Sequence, residues 1–148
     1  MPGTPLDRDS IGHMIKGTPP LLEDFLSLDA QLQPNGFDMT VREVSRLTNP
    51  GAVGAEDSSR VLSETEVMEF GADGWLQLDA GPYLVTFNEV VNLPLDVMAL
   101  GRPRSSLLRS GVSIHTAAWD AGYHGRSQAL LVVYHPYGYR VQRDAHLM

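Results

Sequence analysis

The chain opens on a helical period. Ile11, Met14 and Ile15 fall on one face of residues 7–17. Asp7 stands where an N-cap belongs and Gly17 where a helix ends. Thr18-Pro19-Pro20 forbids continuation. Residues 21–33 have no single period, and Gln33-Pro34-Asn35-Gly36 signals a turn. From Phe37 the period falls to two. Phe37, Met39 and Val41 alternate with Asp38, Thr40 and Arg42, the pattern of a half-buried strand that leaves Asp38 on its polar side. Residues 48–60 read as a loop or mobile insertion. Short strands are predicted near 74–79, 82–88 and 95–100, then one or two helical turns over 105–110 closed by Gly111. A strand over 112–119, a turn over 121–125, a buried strand over 129–134 and a short last strand after Pro136-Tyr137-Gly138 complete the pattern. Many short strands behind one helix predict a mainly β sandwich or barrel. With no internal repeat and no composition break, residues 1–148 are expected to form one domain.

Composition narrows the chemistry. At 43% apolar and 20% charged residues, the chain reads as an ordered globular protein. Its net charge of −7 is unevenly spread. Residues 1–100 carry 16 acidic against 5 basic side chains, and residues 101–148 carry 2 against 6. A basic last third on an acidic protein suggests a local anion site, with no general affinity for nucleic acid. There is no cysteine, which removes disulfides, thiolate metal sites, cysteine nucleophiles and the zinc cytidine deaminases. The only lysine, Lys16, has the wrong neighbours for a phosphate-binding P-loop, and no G-x-G, G-x-S-x-G or H-E-x-x-H occurs. The polar, Pro-rich start and the lack of a long apolar run predict a cytoplasmic protein with no membrane partner.

Three segments carry candidate chemistry. Arg102-Pro103-Arg104-Ser105-Ser106-Leu107-Leu108-Arg109 places arginines and hydroxyls at the start of a short helix. There, free backbone N–H groups favour an anion and Arg104 and Arg109 can fork onto phosphate oxygens. The plainer reading is a serine N-cap flanked by solvated arginines. Asp120, the one carboxylate between Asp96 and Asp144, stands between an apolar strand and a Gly-rich turn. A partly desolvated carboxylate there suits a general base, and an Asx-turn residue is the alternative. Asp38 can hold a metal-bound water or cap its turn. Tyr123 is a stacking platform or core filler. The histidines at 13, 115, 124, 135 and 146 lack metal-ligand spacing and read as ordinary surface or core residues.

Taken in order, these segments resemble the superfamily of dUTPases and dCTP deaminases. Arg104-Ser105-Ser106-Leu107 is similar to its phosphate-binding motif, [P/G]-R-S-[SG]-L. Asp120-Ala121-Gly122-Tyr123-His124-Gly125 is similar to its D-x-x-[YW]-x-G turn. Gln33-Pro34-Asn35-Gly36-Phe37-Asp38-Met39 resembles its first motif, and Asp7-Arg8-Asp9-Ser10-Ile11 looks deaminase-like. The resemblance implies a distorted β jelly roll (the β-clip) with a short N-terminal helix, assembled as a homotrimer with interface active sites. It also implies Mg²⁺ as cofactor and a deoxynucleoside triphosphate, dUTP, as substrate. By the same analogy Asp120 activates the attacking water and Arg104, Ser105, Ser106 and Arg109 grip the phosphates. Tyr123 packs under the deoxyribose, backbone groups around Ala118 and Trp119 read the base edge, and Asp38 touches a water on the metal.

Departures from the family pattern choose among its activities. The deaminases carry a glutamate on the strand after the aspartate turn as proton shuttle, whereas Ala129-Leu130-Leu131-Val132-Val133-Tyr134 has no carboxylate. The deaminase arginine upstream of the aspartate is replaced within Ala117-Ala118-Trp119. These differences favour dUTP hydrolysis over a dCTP deaminase or bifunctional enzyme, and a non-catalytic nucleotide-binding trimer stands as a second alternative. Where the family has a motif like R-I-A-Q, the chain reads Arg143-Asp144-Ala145-His146, and no glycine-rich covering arm follows. Residues 48–73 exceed the compact pattern and are an alternative source of cover.

Overall fold

The computed structural model describes residues 3–148. Helix α1 (Arg8–Ile15) forms as the period predicts: Asp7 is its N-cap and accepts the Ser10 N–H at 2.8 Å, while Ile11 and Ile15 are buried. Gly17 follows the helix but is not left-handed. A Cβ there would lie 3.1 Å from the Met14 carbonyl oxygen, a tight approach that accounts for glycine. The stretch without a period then resolves into three small pieces, β1 (Leu22–Glu23), α2 (Leu28–Gln31) and β2 (Leu32–Gln33). Strand β2 turns through Pro34-Asn35 into β3 (Gly36–Phe37), confirming the predicted turn.

Next come β4 (Val41–Leu47), β5 (Thr65–Val67), β6 (Trp75–Leu78), β7 (Gly81–Asn92), α3 (Ser105–Arg109), β8 (Val112–His115), β9 (His124–Val133) and β10 (Tyr139–Gln142). The main sheet runs β5-β4-β7-β9-β8, with β1 added to β7, and β6 pairs β10 in a separate ribbon. All of these pairings are antiparallel. Mainly β is therefore the observed class. Val41, Val44, Val85, Phe87 and Leu131 lie in this sheet with no accessible surface. Burial of each such side chain is worth roughly 1.5–3 kcal/mol.

Four expectations need correction. The strand begun at Phe37 breaks at residues 38–40, because the backbone there bonds to the chain's last residues instead of a sheet neighbour. Met39 N–H reaches the Met148 carbonyl at 2.9 Å, and Leu147 N–H the Met39 carbonyl at 3.0 Å. Asp38 is consequently buried, where alternation placed it outside. Residues 95–100 form no strand. Pro94 starts a turn whose carbonyl receives Val97 and Gly122 N–H groups, leaving only an Ala99–Trp119 bridge. Strand β8 also stops at His115, so 116–118 are not strand. Finally, β7 runs four residues past its predicted end, through a register slip against β9 between Thr86 and Val90.

The cap of α1 gives a direct test. Side-chain and backbone hydrogen bonds from Ser10 hold the exposed Asp7 carboxyl below its ordinary value of 3.8. A depressed folded-state value adds stability that is complete above about pH 4 and is lost as pH falls through the lowered value. Asp7→Ala will lower the thermal midpoint at pH 7, Asp7→Asn will do so less, and the deficit will shrink in melts taken below pH 3.

Candidate active site

Three segments converge to form a cationic cradle: residues 38–41, the start of α3, and residues 144–148. Besides the Met39 bonds, Val41 N–H donates to the Ala145 carbonyl at 3.0 Å and Arg104 N–H to the Leu147 carbonyl at 3.0 Å. This stitching brings Asp38, Arg104 and His146 together. An Arg104 guanidinium N–H donates to Asp38 Oδ2, and His146 Nδ1 lies 3.0 Å from the same oxygen and 3.3 Å from Arg104 Nη1. Gln33 Nε2 adds a longer contact to Oδ2 at 3.3 Å. The Asp38 side chain is 11% exposed and that of Arg104 42%, so the pair is half shielded from water.

Helix α3 begins at this pair. Its N-cap is Arg104 and no side chain caps it, so Ser105 is not the predicted serine cap. Ser105, Ser106 and Arg109 are exposed around the same helix, while Leu107 anchors it in the core. Gly111, at φ +70°, closes the helix as predicted. One guanidinium N–H of Arg104 is spent on Asp38 and the others stay available, with two hydroxyls beside them. Such a set suits an oxyanion.

Asp120 lies on a turn that its own carbonyl closes by accepting the Tyr123 N–H at 3.0 Å. Its carboxylate is exposed and accepts no hydrogen bond from the described residues. Both the Asx-turn alternative and the expected partial desolvation are thereby corrected: the turn is held by backbone, and the side chain projects to solvent. Gly122 at φ +83° permits the bend. Tyr123 is half-buried, packs on the core and lines a mainly apolar cleft of about 770 Å³ with Met14, Pro19, Leu93 and Leu95. Glu23, Asn92 and His124 supply polar groups to that cleft.

Trp119 is a buried anchor whose Nε1 donates to Ser127 Oγ at 2.5 Å. Both its backbone N–H and its carbonyl bond to Ala99 at 3.0 Å. Its peptide groups are therefore spent within the chain, which corrects the base-reading expectation for Trp119, while neighbouring Ala118 is exposed. Within the chain, no hydrogen bond or ion pair among the described residues joins Asp120 to Arg104, Ser105, Ser106 or Arg109.

No group of three or more His, Asp or Glu side chains among the described residues is arranged to hold a metal ion. Asp38, expected beside a metal-bound water, faces a guanidinium and an imidazole instead, surroundings that oppose a second cation. The donor set does not fit a resident Mg²⁺. Pattern reading also missed Gln31, Thr40, Asn88, Glu89 and Asp144, which support the cradle from behind. Their only sequence signal is the adjacent polar pair Asn88-Glu89 interrupting an apolar strand.

The fold is shared with a known class of nucleotide enzymes. The crystal structure of 2′-deoxycytidine 5′-triphosphate deaminase from Agrobacterium tumefaciens superposes with a TM-score of 0.70 at 20% identity, covering 96% of this chain and 46% of that one. The chain thus spans about half the length of that structure. The family model described as dCTP deaminase-like matches residues 6–148, and the chain belongs to that family. It is 44% identical over 145 residues to the "Probable deoxyuridine 5'-triphosphate nucleotidohydrolase" of Methanococcoides burtonii, covering 98% of this chain and 85% of the relative. The protein of the same name from Archaeoglobus fulgidus is 46% identical over 128 residues, 86% of this chain and 75% of its own.

Two substitutions separate the cradle from the turn. Asp38→Asn leaves Arg104 and His146 without their anion and will lower the free energy of urea unfolding by roughly 1–3 kcal/mol. Asp120→Asn, exposed and unpartnered, will stay within about 0.5 kcal/mol of the wild type. An unchanged urea midpoint for Asp38→Asn would reduce the Arg104 contact to a solvated surface pair.

Proposed function

We propose that the protein is a dUTP diphosphatase that hydrolyses Mg²⁺–dUTP to dUMP and pyrophosphate. In this reading residues 1–148 form one dUTPase-like domain of distorted jelly-roll (β-clip) type. Three copies assemble with active sites between them. The enzyme serves the cytoplasmic nucleotide pool and has neither nucleic acid nor membrane as partner. Among the described residues, no helix is long and apolar enough to cross a membrane.

The observation that carries the reading is the exposed Asp120 followed by a strand, β9, without a carboxylate along its length. Phosphoanhydride hydrolysis needs one base at the attacking water. Ring deamination needs a proton shuttle at the base as well. The acidic residues 56–69 do not supply it within the chain, since they flank β5 at the opposite end of the strand order from β8. The relatives' printed name points the same way.

In this reading each group has one part in the reaction. Asp120 takes a proton from a water whose oxygen bonds to the α-phosphorus. The bond from that phosphorus to the bridging oxygen breaks, and pyrophosphate leaves with the electron pair. Arg104, held by Asp38, binds phosphate oxygens together with Ser105, Ser106 and Arg109. Mg²⁺ enters with the triphosphate as part of the substrate and neutralises its charge. Tyr123 packs against the sugar, where a 2′-hydroxyl would clash, and Ala118 backbone groups meet the base edge. In this reading each site takes its base from one copy and its grip from another, and no hydrogen bond or ion pair among the described residues joins Asp120 to Arg104 within one chain.

Pyrophosphate release from dUTP with Mg²⁺ tests the activity. Asp120→Asn will lower kcat by about a hundredfold or more, and release no greater than from that variant would overturn the proposal. Ammonia from dCTP would favour the deaminase reading. Nucleotide-dependent thermal stabilisation without turnover would favour a non-catalytic nucleotide-binding trimer. Shared sites predict complementation: mixing inactive Asp120→Asn with inactive Arg104→Ala, under conditions that exchange subunits, will restore activity.

A further inference from the structure

The proposed reaction leaves one buried acid unused. Glu89 has no accessible surface and sits in β7 where its register against β9 slips. Among the described residues no cation pairs with it. Its Oε1 accepts from Gln31 Nε2 at 2.6 Å and from Thr40 Oγ1 at 2.5 Å, and its Oε2 accepts the Thr40 N–H at 2.9 Å. The donors have no freedom to reverse. The Gln31 carbonyl oxygen accepts Leu26 and Ser27 N–H groups at 2.7 and 2.9 Å, which fixes its amide. The remaining Gln31 proton goes to the Asp38 carbonyl at 2.8 Å. The Thr40 hydroxyl accepts from Asn88 Nδ2 at 3.0 Å, which directs its own proton to Glu89. Both Glu89 oxygens therefore act as hydrogen-bond acceptors.

This network brackets Asp38. On one side Gln31 bonds it twice, through its side chain and by accepting the Asp38 N–H at 2.8 Å. On the other, Thr40 is tied to Glu89 by backbone and side chain alike. We propose that Glu89 is a positioning residue for the phosphate cradle, acting through Gln31 and Thr40 to hold Asp38 against Arg104. The inference rests on the reading of Arg104 as the phosphate grip. Without a fixed Asp38, a long and 42% exposed arginine side chain spreads over its rotamers, and substrate binding must re-order it.

Glu89→Gln tests this, because its amide sets a donor against either the Thr40 N–H or the Gln31 and Thr40 donors. Thr40→Val removes the hydroxyl's bond to Glu89 and the one it accepts from Asn88 with little change of shape, and Thr40→Ser keeps both. Val85→Ala, a buried change on the same strand outside the network, controls for lost stability alone. Binding of inorganic tripolyphosphate by calorimetry, at a temperature where every protein tested is folded, reads the cradle independently of turnover. Glu89→Gln and Thr40→Val will weaken tripolyphosphate binding and raise KM for dUTP by about tenfold while kcat is largely retained, the mark of lost uniform binding. Thr40→Ser and Val85→Ala will stay within about twofold of the wild type. Should Glu89→Gln fail to fold, the Thr40 pair decides. Wild-type affinity in Glu89→Gln or Thr40→Val, or equal weakening in Val85→Ala, would overturn the proposal, as would a wild type that does not bind tripolyphosphate. A wild type that binds tripolyphosphate but releases no pyrophosphate from dUTP overturns the diphosphatase reading alone.

Discussion

The arrangement depends on the buried side chain of Glu89, with which no cation among the described residues pairs. Moving an ionised carboxylate into a protein interior costs several kcal/mol even after relaxation. Hydrogen bonds to a charged group return about 1.5–3 kcal/mol each. Glu89 has three donors, so burial and bonding are of similar size and the residue is tolerable only with all three in place. Stability alone does not account for such a group, since an apolar residue would avoid the cost. What the carboxylate adds is definition. It makes the slipped part of β7 a junction where Gln31 of α2, Thr40 before β4 and, through Asn88 Nδ2 at 2.8 Å, Asp144 near the chain's end are fixed together. Arg126 secures the other side by donating to the Phe87 and Asn88 carbonyls and pairing with Asp24 at 2.7 Å. The junction thus binds β9, which follows the Asp120 turn, to the segments that form the cradle.

The uneven charge acquires a structural meaning from this junction. Arg104, the best-placed cation of the basic last third, lies against Asp38 from the acidic front, and His146 faces the same oxygen. A half-shielded carboxylate holding a guanidinium in place would, in the proposed reading, give an anion grip with its geometry set in advance. Little ordering is then left for the moment of binding. The same contact weighs against Asp38 as a partner of Mg²⁺, because one oxygen cannot orient a guanidinium and serve a second cation equally well. In the proposed reading, holding phosphate by arginine and hydroxyl also accounts for a cradle that needs no lysine.

Local patterning exposed the elements that local chemistry determines. The Asp7 cap, the Pro34-Asn35 turn and Gly111 after α3 are short-range features, and each appears where propensity places it. The strand alternation failed where a distant segment supplied the partner. Residues 38–40 are buried side by side because residues 145–148 and Glu89 meet them there, about 50 to 110 positions away in sequence. The spent backbone of Trp119 was hidden for the same reason, since its partner is Ala99 on a segment that looks like a strand and is a turn. Motif spacing revealed Arg104, Asp120 and Asp38, but not Gln31, Thr40 and Glu89, which hold Asp38 from behind. Asn88 and Glu89 read as the end of a strand unless two adjacent polar residues in an apolar run are taken as a bulge.

The separation of the two motifs sets the physical condition for catalysis. Asp120 is exposed and accepts no hydrogen bond from the described residues, so in the isolated chain it is an ordinary solvated carboxylate. A base in bulk water competes with water for every interaction that stabilises charge at the phosphorus, and displacing that water strengthens each of them. The cradle has the complementary lack: it has donors in place but no base. Between Asp120 and the cradle's side of the molecule runs a stretch with Leu95, Met98 and Leu100 largely exposed. Apolar residues beside a reaction that must exclude water call for cover by another surface. Under the proposed trimer, a second copy would bring its own cradle and the same apolar stretch and so meet both needs in one contact, with water exclusion, base and grip supplied together by assembly.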